Sequence, residues 1–402
     1  MRSTNLSKRC ELFFSNQILF FLAYGIWLSF QLFDSTLFIS LFPDRAITVV
    51  RLFCFVLLAI NEIGNYGWKI TKERVICILL VALSTAVFFV TDSFVLIDVI
   101  LFVFCGRKIP IRHIAAETIL VLCCATAIVV LSAQFGIIYP TQWGGERPRY
   151  GFGFKWATIP SHYFLNVVTA YIYLRKKSFS IIDAIIILLV NCFLYATTDS
   201  RTSFILTTLV VLGAFILKLP VVAKLINGSV IFFLAGISFA ILSVLSLALS
   251  TLYNKNIAFF SWLNNILSNR LEQTQYSLHE YGIHLFGSYV DWVGNFLDNS
   301  GAMVSENKIV NYVDNSYIYI MISQGWVVFF VLLFFLLIVA YKACRFNDRY
   351  LMLIMFVVAL HSLIDMQLLH LQYTFVLFLI ASYTETDVKY EFSWKGVFKR
   401  NV

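Results

Sequence analysis

The chain has 402 residues, 60% of them hydrophobic and only 13% charged, with 40 Phe, 20 Tyr and 8 Trp. A soluble domain cannot hide that much apolar surface, and the apolar residues fall in blocks long enough to cross a bilayer as helices that satisfy their own backbone. The formal net charge of +8 is scattered as short punctuation between those blocks, which argues against a nucleic-acid partner and makes the charges markers of topology.

The expected fold is all-α: one integral membrane domain, 1–402, of about twelve transmembrane helices. Arg2, Lys8 and Arg9 precede an apolar stretch with no small-residue cleavage site, so that stretch is read as the first span rather than a cleaved signal. The spans follow at roughly 13–33, 46–60, 75–91, 93–106, 114–132, 156–174, 181–197, 203–217, 228–251, 316–340, 350–369 and 371–384. The segments 93–106 and 371–384 are short for a bilayer of about 30 Å at 1.5 Å per residue, so they tilt little, stop short or re-enter. With this order, 21 of the 30 Lys and Arg lie on the side of the first residue. The positive-inside rule then puts both termini in the cytoplasm and the long loop 252–315, between the ninth and tenth spans, outside. The eight cysteines all lie in spans or on the cytoplasmic side, so no disulfide framework is expected in the outer loops.

Charged and titratable groups inside the spans are unevenly placed. Arg51, Asp98, His361 and Asp365 fall in the outer halves, where an isolated charge costs at least about 2.5 kcal/mol. A polar chamber opening outward would account for all four, and His361 and Asp365, four apart, share a helix face on which they can pair. The plain alternative for each is a residue that pins one helix to another.

Five of the eight outer basic residues are arginine. Its planar fork of donors fits phosphate or carboxylate, so the bias points to an anionic ligand on the outer side. Arg147 and Arg149 sit in Glu146-Arg-Pro-Arg-Tyr-Gly-Phe-Gly-Phe154, a stiff loop before the sixth span, and Arg201 in Thr197-Thr-Asp-Ser-Arg-Thr-Ser203, a tight turn between the seventh and eighth. The plain alternative is an arginine held by lipid headgroups or by Asp199. A lone arginine on so short an outer turn opposes the positive-inside bias, which favours function for Arg201.

Within the long loop, 266–285 reads as an amphipathic helix with Leu267, Leu271, Thr274, Leu278, Tyr281 and Leu285 as its apolar stripe. Arg270, Gln273, Ser277, Glu280 and His284 line the adjacent edge, putting a cation, a carboxylate and an imidazole where one substrate can touch all three. Such rows are more often solvated faces. The loop closes on Val313-Asp-Asn-Ser-Tyr-Ile-Tyr-Ile-Met-Ile-Ser-Gln-Gly325, where Asp314 or Asn315 can cap the tenth span and Asp314 can also act as a base. The outer loops hold no Asp-x-Asp pair, no cysteine and histidine ligand cluster, no Walker loop, no dinucleotide fingerprint and no nucleophile elbow, so metal, ATP and nicotinamide chemistry find no support there.

The order of these parts resembles the bacterial polysaccharide polymerases of the Wzy type, which share a superfamily with O-antigen ligases. The parts are an arginine loop before a Gly-Phe-rich turn, a Ser-Arg-Thr turn opening a span, and one large external loop carrying Arg270 and His284-Leu-Phe-Gly287 and closed by Asp314-Asn-Ser-Tyr and Gly325. The resemblance covers most of the chain as a topology through short, degenerate motifs. It implies a glycosyltransferase that moves an oligosaccharide carried on undecaprenyl diphosphate to an acceptor sugar, outside the cytoplasmic membrane, without metal or nucleotide cofactor. A flippase and a chain-length regulator are the implied pathway neighbours. Under it, Arg147, Arg149, Arg201 and Arg270 contact the diphosphate, and the base is Asp314, His284 or Glu280. Many ligases place a histidine before the Asn-Ser-Tyr-like start; Asp314 stands here, which favours polymerase over ligase. A flippase or transporter for the same lipid is the alternative from another class. The crowding of intramembrane charge into one half and the lack of a sequence repeat weaken it.

Overall fold

The computed structural model describes residues 3–144, 148–222 and 230–383, with side chains from Gln17 onward except at 230–232. Arg147 lies outside the described residues. In chain order the helices are α1 (Ser3–Asp34), α2 (Ala46–Tyr66), α3 (Lys72–Thr91), α4 (Val95–Cys105), α5 (Ile111–Gln134), α6 (Ile159–Arg175), α7 (Ile181–Thr198), α8 (Arg201–Ile216), α9 (Val230–Gly236), α10 (Ser238–Leu252), α11 (Ala258–Ile266), α12 (Arg270–Tyr281), α13 (Ser316–Ser323), α14 (Trp326–Arg345), α15 (Arg349–Ser362) and α16 (Leu379–Ser382). A two-residue antiparallel hairpin, β1 (Gln142–Trp143) with β2 (Arg149–Tyr150), stands before α6.

Six stretches among the described residues are helices long and apolar enough to cross a membrane: Gln17–Asp34 of α1 and the whole of α2, α3, α5, α7 and α14. Burial sorts them into layers. Only 17% of the α3 span is buried, and its outward residues include Ile78, Leu79 and Phe89. A face of that kind is stable against lipid and not against water.

The interior belongs to shorter helices. α6 is buried on every side, from Pro160, Ser161 and Tyr163 to Thr169 and Tyr173, so its polar residues must find their partners inside the protein. Its buried polar residues His162, Asn166 and Thr169 follow each other at spacings of four and three, so they share one face.

Four expected spans are not continuous helices. The stretch 228–251 breaks at Ile237 between α9 and α10, and 316–340 breaks at Gln324-Gly325 between α13 and α14. The stretch 350–369 is helical only to Ser362, and the described part of 371–384 holds a 3-10 turn, Phe375–Phe378, and the single-turn α16. Hydropathy alone cannot register these breaks. Backbone outside a helix survives at this depth only where protein groups satisfy it. Asn166 Nδ2 donates to the Gln372 carbonyl (3.1 Å) and its Oδ1 accepts from Phe375 N (3.2 Å). Ser316 Oγ accepts from Leu368 N (3.0 Å), while its own N and hydroxyl both donate to the Asp365 carbonyl.

The break at Gly325 has a steric cause. Gly325 (φ +91°) and Gly287 (φ +82°) are packed backbone against backbone: a Cβ at Gly325 would collide with the Leu285 carbonyl, and one at Gly287 with that of Ser323. Ser288 N donates to Ile322 O (2.9 Å) and Trp326 N to His284 O (3.1 Å), so the loop at 284–288 caps both broken ends.

Candidate functional site

The end of the bundle that carries the long loop holds two polar clusters, both touching the first turn of α6. In one, the hairpin and the α7–α8 turn meet. α7 ends at Thr198, Asp199 takes the left-handed conformation (φ +48°), and α8 starts at Arg201. Arg149 Nη2 stands 3.6 Å and Arg201 Nε 3.5 Å from the two oxygens of Asp199. The Arg149 guanidinium also lies over the Trp156 ring, 5.8 Å from its centroid. Two arginines more than fifty residues apart are thus gathered on one carboxylate. Arg201 keeps 61% of its side chain exposed, so its fork faces outward from the pair. Ser161 of α6 hydrogen-bonds Thr198 (3.1 Å) and fastens this cluster to the core.

The second cluster lies beneath the long loop. Arg270, at the first residue of α12, donates from Nε to Asp314 Oδ2 at 2.9 Å. Asn315, not Asp314, is the cap of α13: its Oδ1 accepts from Ile318 N (3.2 Å) and its Nδ2 donates to Ser246 (2.7 Å) and the Leu363 carbonyl (3.1 Å). Asp314 is therefore free of the capping role. Burial lifts its carboxyl above the ordinary carboxylate range. Arg270 and His162 oppose that rise, and the charge of Asp365 adds to it.

Asp365 itself meets His162 of α6, Nε2 to Oδ2 at 2.9 Å. His361 is a looser neighbour at 3.9 Å, so the expected His361–Asp365 pair is present but second to the closer contact with a residue on another helix. The reason is that α15 ends at Ser362, which takes Asp365 off the shared face. The His162 and His361 rings meet edge to face, 5.2 Å between centroids, and the Gln367 amide closes on His162 Nδ1. No sequence motif flags His162; its position one turn before Asn166, on a polar face of an otherwise apolar helix, is the signal it carried.

The other expected residues lie elsewhere. Arg51 and Asp98 satisfy each other, Nε to both oxygens at 3.0 and 3.1 Å, and need no chamber. The edge expected to run from Arg270 to His284 is broken. Ser277 is buried and donates to the Asn311 carbonyl (2.7 Å), Glu280 is exposed, and Gly282 (φ +65°) ends α12 before His284. The His284 ring is exposed, with Nε2 3.0 Å from the Tyr281 carbonyl. Among the described residues, no ion pair joins Glu280 or His284 to Arg270 or Asp314.

Chemically, the first cluster offers arginine forks on a carboxylate that a stronger anion can displace. The second offers a partly buried carboxylate able to take a proton and an imidazole pair able to relay one or to ligate a cation. No family model, no curated protein and no solved structure matches the chain.

Proposed function

We propose that the protein is a membrane glycosyltransferase that polymerises undecaprenyl-diphosphate-linked oligosaccharide repeats into capsular, exopolysaccharide or O-antigen chains. It works on the outer face of a bacterial cytoplasmic membrane as a twelve-span protein with both termini inside, the broken segments counting among those spans. The observation that carries the reading is a pair of arginine–carboxylate clusters at the end of the bundle that bears the long loop, Arg149 and Arg201 on Asp199 and Arg270 on the partly buried Asp314. The likeness to Wzy-type polymerases enters as a reading of short motifs.

In this scheme the lipid diphosphate displaces Asp199 and Asp314 from their arginines, because two phosphates offer more acceptor oxygens to a guanidinium fork than a carboxylate does. Arg149, Arg201 and Arg270 then hold the leaving diphosphate, and fixed cations at the point where its charge develops supply most of the acceleration. Asp314, released from Arg270, takes the proton of the acceptor hydroxyl as that oxygen attacks the anomeric carbon of the donor and the bond to the diphosphate breaks. Its raised pKa suits it to that role better than an ordinary exposed carboxylate.

The test uses the purified protein in liposomes with one lipid-diphosphate-linked oligosaccharide. A ladder of repeat lengths is expected from the native chain, and Arg201→Ala slows it at least tenfold. Full-length polymer at the normal rate from Arg201→Ala overturns the assignment. A single transfer to a different acceptor, with no ladder, identifies a ligase, and movement of the lipid across the bilayer without new bonds identifies a carrier.

A further inference from the structure

The His162, His361 and Asp365 group contains more ligating atoms than the transfer scheme uses. We propose that these three residues bind a divalent transition-metal ion, zinc foremost by its donor chemistry. One ligand atom from each lies within 4.8 Å of the other two, and all three residues are buried. Two imidazole nitrogens and one carboxylate oxygen form a set that zinc takes readily, with a fourth position left over. A tetrahedral ion with metal–ligand distances near 2.0–2.1 Å needs ligand atoms roughly 3.3 Å apart. The separations from Asp365 Oδ2, 2.9 Å to His162 Nε2 and 3.9 Å to His361 Nε2, bracket that value. The two imidazole nitrogens lie within 4.8 Å of one another, so drawing both rings onto one ion takes side-chain shifts of up to about 1 Å.

Three further features favour a ligand here over a bare polar cluster. His361 Nε2 has no hydrogen-bond partner although the side chain is only 9% exposed, and a buried orphan of that kind costs about 1–3 kcal/mol unless something binds it. Asp365 is held from behind: its carbonyl accepts from Ser316 N (3.0 Å) and the Ser316 hydroxyl, and its Oδ1 accepts from Met366 N (2.9 Å), which leaves Oδ2 presented to the two rings. Gln367 lies against His162 Nδ1 with its Oε1 orphaned. With the amide turned over, that oxygen accepts from Nδ1–H, and the Nε2 lone pair is directed at the ion, the usual outer support of a metal-bound histidine.

The resemblance stated above implies a metal-free reaction, and no transfer step is routed through this ion. The inference concerns binding alone. Full-length protein in detergent, stripped with chelator, loaded with excess zinc or cobalt and desalted, is expected to retain close to one ion per chain, measured by elemental mass spectrometry. Bound cobalt is expected to show the intense visible bands of a four-coordinate site. His361 has no hydrogen bond to lose at Nε2, so His361→Gln is the gentle variant: it keeps the elution profile and helical content of the native chain and loses at least tenfold in affinity. His279→Ala, on an exposed face of α12, binds as the native protein does. A native chain that retains no metal, or a His361→Gln chain that retains it with undiminished affinity, overturns the site and leaves a hydrogen-bonded His162–Asp365 pair. Because the readout is metal content, failure here does not touch the transfer reading, and a missing ladder does not touch this one.

Discussion

The two ends of the bundle use their charges in opposite ways. At the end away from the long loop, three carboxylates are held by cations, and Glu117, with Oε2 buried and unpartnered, is the exception. Lys176 pairs with Asp348 at 3.0 Å, Arg175 with Asp183 at 3.2 Å, and Arg107 and Arg74 both with Glu62 at 2.8 and 2.9 Å. At the long-loop end, the charge of Asp365 helps to lift the Asp314 carboxyl, while His361 Nε2, Gln367 Oε1 and His370 Nε2 are buried without partners. Saturated pairs fasten helices, whereas unsatisfied ones cost stability and persist where something else is bound or transformed. The contrast, Glu117 apart, is the physical ground for seeking chemistry at the long-loop end.

Breaking one pair at each end tests that contrast with the largest effects. Lys176→Met strands Asp348 in a buried site, so thermal unfolding in detergent is expected to show a loss of about 3–5 kcal/mol, with transfer per folded molecule unchanged. Arg270→Gln inverts the pattern. Its side chain is 26% exposed and its partner 29%, so stability is expected to change by about 1 kcal/mol or less, while the transfer rate falls about 10²-fold. Equal effects of the two substitutions on rate would erase the distinction between the ends.

Gly325→Ala sharpens the comparison from the backbone side. The left-handed region costs an alanine roughly 1–2 kcal/mol and the collision with Leu285 adds to it, so the melting temperature drops and the loop over Arg270 and Asp314 loosens. An unchanged melting temperature would mean that the contact of Gly287 with the α13–α14 break does not hold the loop.

A smaller effect follows from the pH dependence of transfer. A base acts deprotonated, so kcat/KM rises as pH climbs through the Asp314 pKa, which burial places above the ordinary carboxylate value of about 3.9. Arg270 stabilises the charged form, and its removal raises that pKa further. The rising limb of Arg270→Gln is therefore expected at higher pH than that of the native protein. A limb that stays put or moves lower separates Asp314 from the proton transfer.

Much of the helical framework was legible because a membrane makes it so: each apolar run must close its own hydrogen bonds, and 46–60 or 181–197 have no alternative to α2 and α7. The breaks were not legible. Ser316 and Asn166 do the work of a helix ladder for 363–375 from remote positions, and no local window contains both partners. The candidate site divides the same way. Arg149, Arg201, Arg270 and Asp314 stood out by residue type and place in the chain, and the structure pairs the first two with Asp199 and the last two with each other. His162 did not stand out, since its partner Asp365 lies more than two hundred residues away. Glu280 and His284 drew attention through a helical spacing that Gly282 cuts short.

Transfer in proteoliposomes by Asp314→Asn, set beside Glu280→Gln and His284→Gln, tests the central claim most directly. The account predicts that Asp314→Asn loses the ladder by about 10²–10⁴-fold, in the range of a removed general base, while the other two stay within about twofold of the native rate. A native-like ladder from Asp314→Asn, or its loss in Glu280→Gln or His284→Gln at full folding, would contradict it.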